Sequence, residues 1–238
     1  MLAARQLKIV ETCHERSHRS RRKNSDICSE VVDRLAAFAI PLYQPKGAAL
    51  FGEGQPPRGI FILYSGRAKL FTSSAEGKTL ILGFANTGEI LGLAETLSGR
   101  PYEAWAEAIQ PTQAGFIERG RLFHLMRNHG ELAVKLAMQL GESYCSAIAG
   151  VRVMGHSRTA GQKLATFFLN WCESDRSLHV DANPRFNLTH EEIAQVIGTS
   201  RETVTRLLSK FKKKGLIQWN SNNLAITDRT GLEGSAAD

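Results

Sequence analysis

A chain of 238 residues with 42% apolar composition can support two modest domains, each with its own core. The formal charge of +7 permits nucleic-acid binding without establishing it. No apolar run approaches the length of a membrane span and Met1 to Glu30 lacks the apolar core of a secretory signal, so a cytoplasmic protein is expected.

Arg16, Arg19, Arg21, Arg22 and Lys23 interleave with Ser and His near the N-terminus. Residues 1–27 therefore read as a basic flexible arm, either adding nonspecific phosphate contacts or serving as a plain leader. Cys13, Cys28, Cys145 and Cys172 lack the close spacing of metal or cluster sites, which favours reduced thiols and no metal site. Cys13 with His14 and His18 is a looser metal-binding alternative. Ile27, Val31, Val32, Leu35 and Phe38 then form a helical stripe, closed by Pro41.

From Leu42 to Ile117 the texture changes to short apolar runs broken by recurring glycines, which suits a small antiparallel barrel or jelly roll. GIFILYSGRAKLF turns at Ser65-Gly66, GKTLILGF ends at Asn86-Thr87-Gly88, and YEAWAEAIQ alternates with Trp105 expected inward. A short helix is expected over Arg121 to Asn128. A longer one over Glu131 to Val153 carries Leu132, Leu136, Leu140, Tyr144, Ile148 and Val151 near coiled-coil spacing. After a hinge around Gly155, RTAGQKLATFFLNWCES gives a helix with Leu164, Phe167, Phe168 and Trp171 toward a core. Asp181 to Phe186 reads as a loop.

Thr189 to Gly215 carries the most specific pattern in the chain. Thr189 stands three residues before Glu192, and Thr199 three before Glu202, so each threonine can start a helix with a capping box. Leu188 and Ile193 can staple the first helix, Gly198 supplies a tight turn, and Gly215 is a natural stop. On the second helix, Arg201, Glu202, Thr205, Arg206 and Ser209 fall within an arc of about 140°, opposite Val204, Leu207, Leu208 and Phe211. Arg201 and Arg206 can each bond guanine O6 and N7, and Glu202 can accept from cytosine N4. Six of the basic residues lie between Arg201 and Lys214 against one acid, and that asymmetry suits a phosphate backbone. The base-reading set is thus Arg201, Glu202, Thr205 and Arg206. The phosphate-contacting set is Thr189, Ser200, Thr203, Ser209, Lys210 and Lys213. An amphipathic surface helix with a solvated charged face is the plainer alternative, but two capped helices and a glycine turn argue against it. LIQWNSNNLAIT follows as two strands around an Asn-rich turn, the wing of a winged helix, and the polar tail from Arg229 is expected to fray.

The run IGTSRETVTRLLSKFKKKGLI resembles the recognition helix of the cyclic-AMP receptor protein and fumarate-nitrate regulator (CRP/FNR) superfamily of bacterial transcription factors. The resemblance spans roughly Cys28 to Asp228. It implies an α+β chain with an N-terminal cyclic-nucleotide-binding-like β-roll (jelly roll), a long dimerisation helix and a C-terminal winged helix-turn-helix. The corresponding boundaries are a sensor domain over 28–128, the dimerisation helix over 129–154, the DNA-binding domain over 155–228 and a tail over 229–238. Arg201, Glu202 and Arg206 stand where the catabolite-activator branch reads TGTGA half-sites. Thr205 occupies a position where the fumarate-nitrate branch has Ser. Double-stranded DNA, a second copy of the chain and RNA polymerase are the implied partners.

In the resemblance, Gly88 to Ala108 corresponds to the phosphate cassette of the nucleotide binders. Gly88, Glu89 and Leu91 match, with Glu89 at the ribose-binding position. Tyr102 and Glu103 replace the family's phosphate-holding Arg-Ser pair, and a carboxylate there repels a phosphodiester. Ala147 and Ile148 replace a Thr-Ser pair that contacts the base. These seven residues mark the effector pocket, and the expected effector is not cyclic AMP. A haem or an iron–sulfur cluster is an alternative cofactor, although no cysteine cluster or axial histidine stands out. A cyclic-nucleotide- or redox-responsive regulator and a ligand-binding protein that does not engage DNA remain the other readings. No nucleophile–base pair, metal-ligand spacing or Walker-type lysine points to an enzyme.

Overall fold

The computed structural model describes residues 25–155, 159–178, 188–220 and 223–237, and divides into two compact units, Met1–Ile148 and Ala149–Asp238. Residues 1–24 of the basic arm, with Cys13, the hinge residues beyond Gly155, the Asp181 to Phe186 loop and the tip of the wing lie outside the described residues, and the last three residues of the expected arm, 25–27, instead open a helix.

The first unit opens with helix α1 (Ser25–Ala36) and then builds the expected roll. Its strands are β1 (Ile40–Gln44), β2 (Ala49–Phe51), β3 (Gly59–Ser65), β4 (Ala68–Ser73), β5 (Thr79–Ala85), β6 (Ile90–Leu91), β7 (Trp105–Ala108) and β8 (Thr112–Glu118), with the short helix α2 (Leu93–Ser98) between β6 and β7. They pair antiparallel in two four-stranded sheets, ordered β1-β8-β3-β6 and β2-β7-β4-β5. Strand β3 explains why the run GIFILY is apolar without interruption. Side chains alternate across a strand, so Phe61 and Leu63 join one core while Ile60 and Ile62 join another. The first core lies inside the roll with Phe51, Leu91, Tyr102 and Ala106. The second gathers Val31 and Leu35 of α1, Leu122 and Leu125 of α3 (Arg119–Asn128), and Leu132 and Leu136 of α4 (Gly130–Gly155).

The alternation of YEAWAEAIQ predicts Trp105 inward, but Ala106 and Ala108 are the buried residues of β7, and Trp105 is half-buried on the opposite face, its ring 6.3 Å from Phe71. The inner face meets Phe51 and Tyr102, which leaves room for alanines and not for an indole. The stripe on α4 also divides. Leu132 and Leu136 are buried in the unit's own core and Leu140 packs against it, whereas Val134, Met138, Tyr144 and Ile148 are exposed. The Val151 side chain lies outside the described ones.

The second unit contains α5 (Ala160–Leu178), α6 (His190–Ile197), α7 (Arg201–Lys213), the hairpin of β9 (Ile217–Asn220) and β10 (Asn223–Ile226), and α8 (Arg229–Ala237). Leu164, Phe168 and Trp171 of α5 are buried as expected, with Phe167 half-buried. The tail does not fray. Asp228 accepts from the Gly231 N–H at 2.9 Å, Arg229 pairs with Glu233 at 2.7 Å, and Leu232 is fully buried. The capped first turn and the buried Leu232 dock this helix, with Gly231 set close against Leu216. Leu232→Ala should therefore cost about 2–5 kcal/mol of stability, seen as a lower urea midpoint. A frayed tail would leave the midpoint unchanged.

Candidate functional site

Helix α6 begins with the expected capping box. The Thr189 hydroxyl accepts from the Glu192 N–H at 3.1 Å, and the Glu192 carboxylate accepts from the Thr189 N–H at 2.8 Å. Leu188 and Ile193, the two staple positions, are both buried. Gly198 ends the helix in the left-handed region at φ 67°, where a side chain would be strained.

The second cap differs from the expected one. Ser200, not Thr199, caps α7, its hydroxyl accepting from the Thr203 N–H at 3.3 Å. The Thr199 N–H is instead directed back to the Ala194 carbonyl at 3.0 Å, so Thr199 belongs to the termination of α6. The cap moves one residue along and leaves Glu202 in the second helical position. There its own backbone N–H, and then the Ser200 hydroxyl, hold its carboxyl below the ordinary value, so it stays an anionic acceptor. At its other end, α7 closes with the Leu216 N–H on the Phe211 carbonyl and the Gly215 N–H on that of Lys212, both at 3.0 Å, a Schellman motif around left-handed Gly215.

Between these caps α7 buries Val204, Leu208 and Phe211 and exposes Arg201, Glu202, Thr205, Arg206 and Ser209, which together line a shallow concavity. Thr189, Ser200, Lys210, Lys212, Lys213 and Lys214 are also exposed, and Thr203 is half-buried. Among the described residues, no carboxylate forms an ion pair with Arg201, Arg206 or these lysines. All four base-reading candidates thus share one open face with four unpaired lysines at its C-terminal end. The phosphate candidates Thr189 and Ser200 sit at the starts of the two helices, where N–H groups favour an anion.

The residues assigned to an effector pocket do not converge in the same way. Glu89 keeps solvent access and accepts from the Asn86 amide at 3.1 Å. The protein crowded around it pushes its carboxyl above the ordinary value, against the pull of Asn86 and Arg67. Gly88 holds a turn at φ 91° and Leu91 is buried in the roll. Tyr102 is a core residue. Its phenol donates to the Gly59 carbonyl at 2.6 Å and accepts from the Gly59 N–H at 3.3 Å, and its ring stacks on Phe51 with centroids 4.1 Å apart. Burial raises the phenol's pKa and keeps it neutral. The backbone around it is sewn down as well, since the Tyr102 N–H donates to Gln55 and its carbonyl accepts from Gly54. The Glu89 carbonyl accepts from the Leu63 N–H, four residues along β3 from Gly59, which puts the two backbone anchor points about 13 Å apart at the usual rise per residue. Glu103 is exposed, and so are Ala147 and Ile148 on α4. The core role of Tyr102 was not read from the sequence, where its position next to Glu103 suggested only a lost phosphate contact.

Comparison with known proteins accounts for both units. Residues 42–129 match the cyclic nucleotide-binding domain model and residues 162–234 the Crp-like helix-turn-helix domain model. The transcriptional activator protein anr of Pseudomonas aeruginosa is 28% identical over 202 residues, covering 84% of this chain and 81% of that protein. The chain belongs to the CRP/FNR family of transcription regulators. Another member of that family, the cyclic AMP receptor protein of Thermus thermophilus, is 26% identical over 208 residues, covering 87% of this chain and 93% of that one. The solved structure of FixK2 from Bradyrhizobium japonicum shares the fold, with a TM-score of 0.74 at 24% identity over 84% of this chain and 98% of that one. As a CRP/FNR regulator the chain is a DNA-binding protein with a sensor domain and not an enzyme. No helix among the described residues is long and apolar enough to cross a membrane.

The shifted cap gives a direct check on how α7 begins. Ser200→Ala should lower thermal stability by about 1 kcal/mol, and Thr199→Ala by only about a few tenths, read by circular dichroism. The reverse order would restore Thr199 as the cap.

Proposed function

We propose that the protein acts in the cytoplasm as a homodimer that binds a TGTGA-like pseudo-palindrome, two α7 helices entering successive major grooves, and that it contacts RNA polymerase from the bound site. The observation that carries this reading is the open face of Arg201, Glu202, Thr205 and Arg206, held by caps at both ends of α7. Arg201 and Arg206 supply bidentate donors for guanines, anionic Glu202 supplies an acceptor for a cytosine amine, and Lys210 and Lys213 supply phosphate contacts. The proposed divisions are a basic arm over 1–27, whose last three residues already belong to α1, a sensor over 28–128, a dimerisation helix over 129–154, a DNA-binding domain over 155–228 and a terminal helix beyond.

The effector is not cyclic AMP. A carboxylate, Glu103, stands exposed where the resemblance calls for a phosphate-holding side chain, and Tyr102 is committed to the roll's own core. Neither can neutralise a phosphodiester.

Dimerisation is supported by the face of α4 that its own unit leaves uncovered. Val134, Met138, Gly141, Cys145 and Ile148 follow each other at spacings of four and three, the repeat of a coiled-coil seam, and all are exposed. In a parallel pair about a two-fold axis, Cys145 of each chain faces its counterpart.

Fluorescence anisotropy at fixed salt tests the DNA reading. A TGTGA palindrome should bind in preference to a scrambled duplex, equally with and without cyclic AMP. Arg201→Ala should cost about 1–3 kcal/mol at one guanine, whereas Lys213→Ala should weaken every sequence and reduce the salt slope by about one. Equal weakening of all sequences by Arg201→Ala would refute its assignment as a base reader. Dimerisation has its own check. Copper–phenanthroline oxidation should yield a covalent dimer on a non-reducing gel, and Cys145→Ser should abolish it. A cross-link indifferent to that substitution would put the seam elsewhere.

A further inference from the structure

Thr205 lies in the middle of the exposed face of α7, yet its hydrogen-bonding capacity is already committed. Its hydroxyl lies 3.0 Å from the Arg201 carbonyl, one turn back, and 3.0 Å from Nδ1 of His190, the first residue of α6. A hydroxyl carries one proton. The carbonyl can only accept, so the Thr205 hydroxyl donates to Arg201, and His190 supplies its own Nδ1 hydrogen to the Thr205 oxygen. If the imidazole accepted instead, the proton would go to His190. Either way it stays inside the protein.

His190 is itself held in place. Its ring meets Trp219 of β9 edge-on, with centroids 5.9 Å apart and planes at 78°, and Trp219 in turn lies 6.3 Å from Phe168. The imidazole thus ties the wing strand, the start of α6 and the middle of α7 together at one point. Fixing the Thr205 oxygen fixes χ1, and the methyl group with it.

Thr205 therefore cannot donate to guanine O6 or N7, or to thymine O4. It retains a methyl group and one lone pair. We infer that Thr205 reads a thymine through its methyl group, packed against the 5-methyl of the base, and that His190 is the positioning residue that keeps the hydroxyl turned into the protein. This rests on the assignment of α7 as the base-reading helix.

The test starts from operators selected by the full-length protein from random-sequence DNA, followed by uracil-for-thymine substitution at each thymine of the half-site. Uracil removes only the 5-methyl. Wild-type protein should lose about fourfold in affinity at one thymine per half-site, the ratio one buried methyl supplies. Thr205→Val, which keeps a methyl and removes the hydroxyl, should retain that discrimination. Thr205→Ser, which keeps the hydroxyl and removes the methyl, should bind thymine and uracil alike. His190→Ala should weaken the discrimination without changing the salt slope, because no phosphate contact is lost. Retained discrimination in Thr205→Ser, or its loss in Thr205→Val, overturns the inference. So does the absence of any thymine sensitive to uracil. Failure to select any operator would instead overturn the base-reading assignment beneath it.

Discussion

The burial of Val204, Leu208 and Phe211 fixes how α7 is turned, and most of what the second unit presents follows from that rotation. Each such side chain contributes about 1.5–3 kcal/mol when removed from water, so rolling the helix by even one residue would forfeit several. With that face committed, Arg201, Glu202, Thr205, Arg206 and Ser209 can only point outward. The caps decide a different matter, where the helix starts and stops. Gly198 and Ser200 set the N-terminal end, and the Schellman closure at Gly215 leaves Lys210 to Lys214 clustered at the C-terminal end, where cations complement the helix dipole. Rotation exposes the polar face, and termination gathers the cations at one end of it.

The sensor unit keeps the roll, and Tyr102, one of the residues expected in an effector pocket, is bound into its core. Strand β3 is the shared wall of two cores, and its first residue, Gly59, has no room for a Cβ because the Ile117 carbonyl occupies the space. That bare backbone is what the Tyr102 phenol uses, as donor and as acceptor. Gly92 makes room on the same ring, since a Cβ there would approach it to 2.8 Å. A side chain that satisfies two buried backbone groups and stacks on Phe51 has a structural reason to stay, independent of any ligand.

Local signals were the legible ones. Thr189 with Glu192, Gly198 and Gly215 act within a turn of their own positions, and the helix-turn-helix could be read from them without knowing what packs against it. The errors arose where two local readings were equivalent and something distant chose between them. Thr199 and Ser200 are both good caps, and the close of the preceding helix took Thr199 for itself. In β7 the alternation has two phases, and only the bulk of Phe51 and Tyr102 across the roll explains why alanines face in. Leucines on α4 fit a coiled-coil stripe, but Leu132 and Leu136 belong to the core beneath them, which leaves Val134 and Met138 as the exposed apolar positions. The terminal helix was missed because its anchor, Leu232, is a single apolar residue in a polar run.

The reading face divides by chemistry as well as by position. Thr205 and Ser209 donate their hydroxyl protons to carbonyls one turn back, Arg201 and Thr205 respectively, so the neutral side chains of the face are internally bonded. Arg201 and Arg206 are not paired with carboxylates among the described residues, and their donors are available to a partner. On the proposed reading, hydrogen-bond discrimination falls to the arginines and to Glu202, while the threonine contributes shape. Such a division makes specificity less sensitive to salt than affinity is. The lysines at the end of α7 act through long-range charge that counterions screen, whereas a methyl contact and a bidentate pair act only at contact distance. If these side chains read bases as proposed, raising ionic strength would strip nonspecific binding first and leave the sequence preference of Arg201, Thr205 and Arg206 nearly intact.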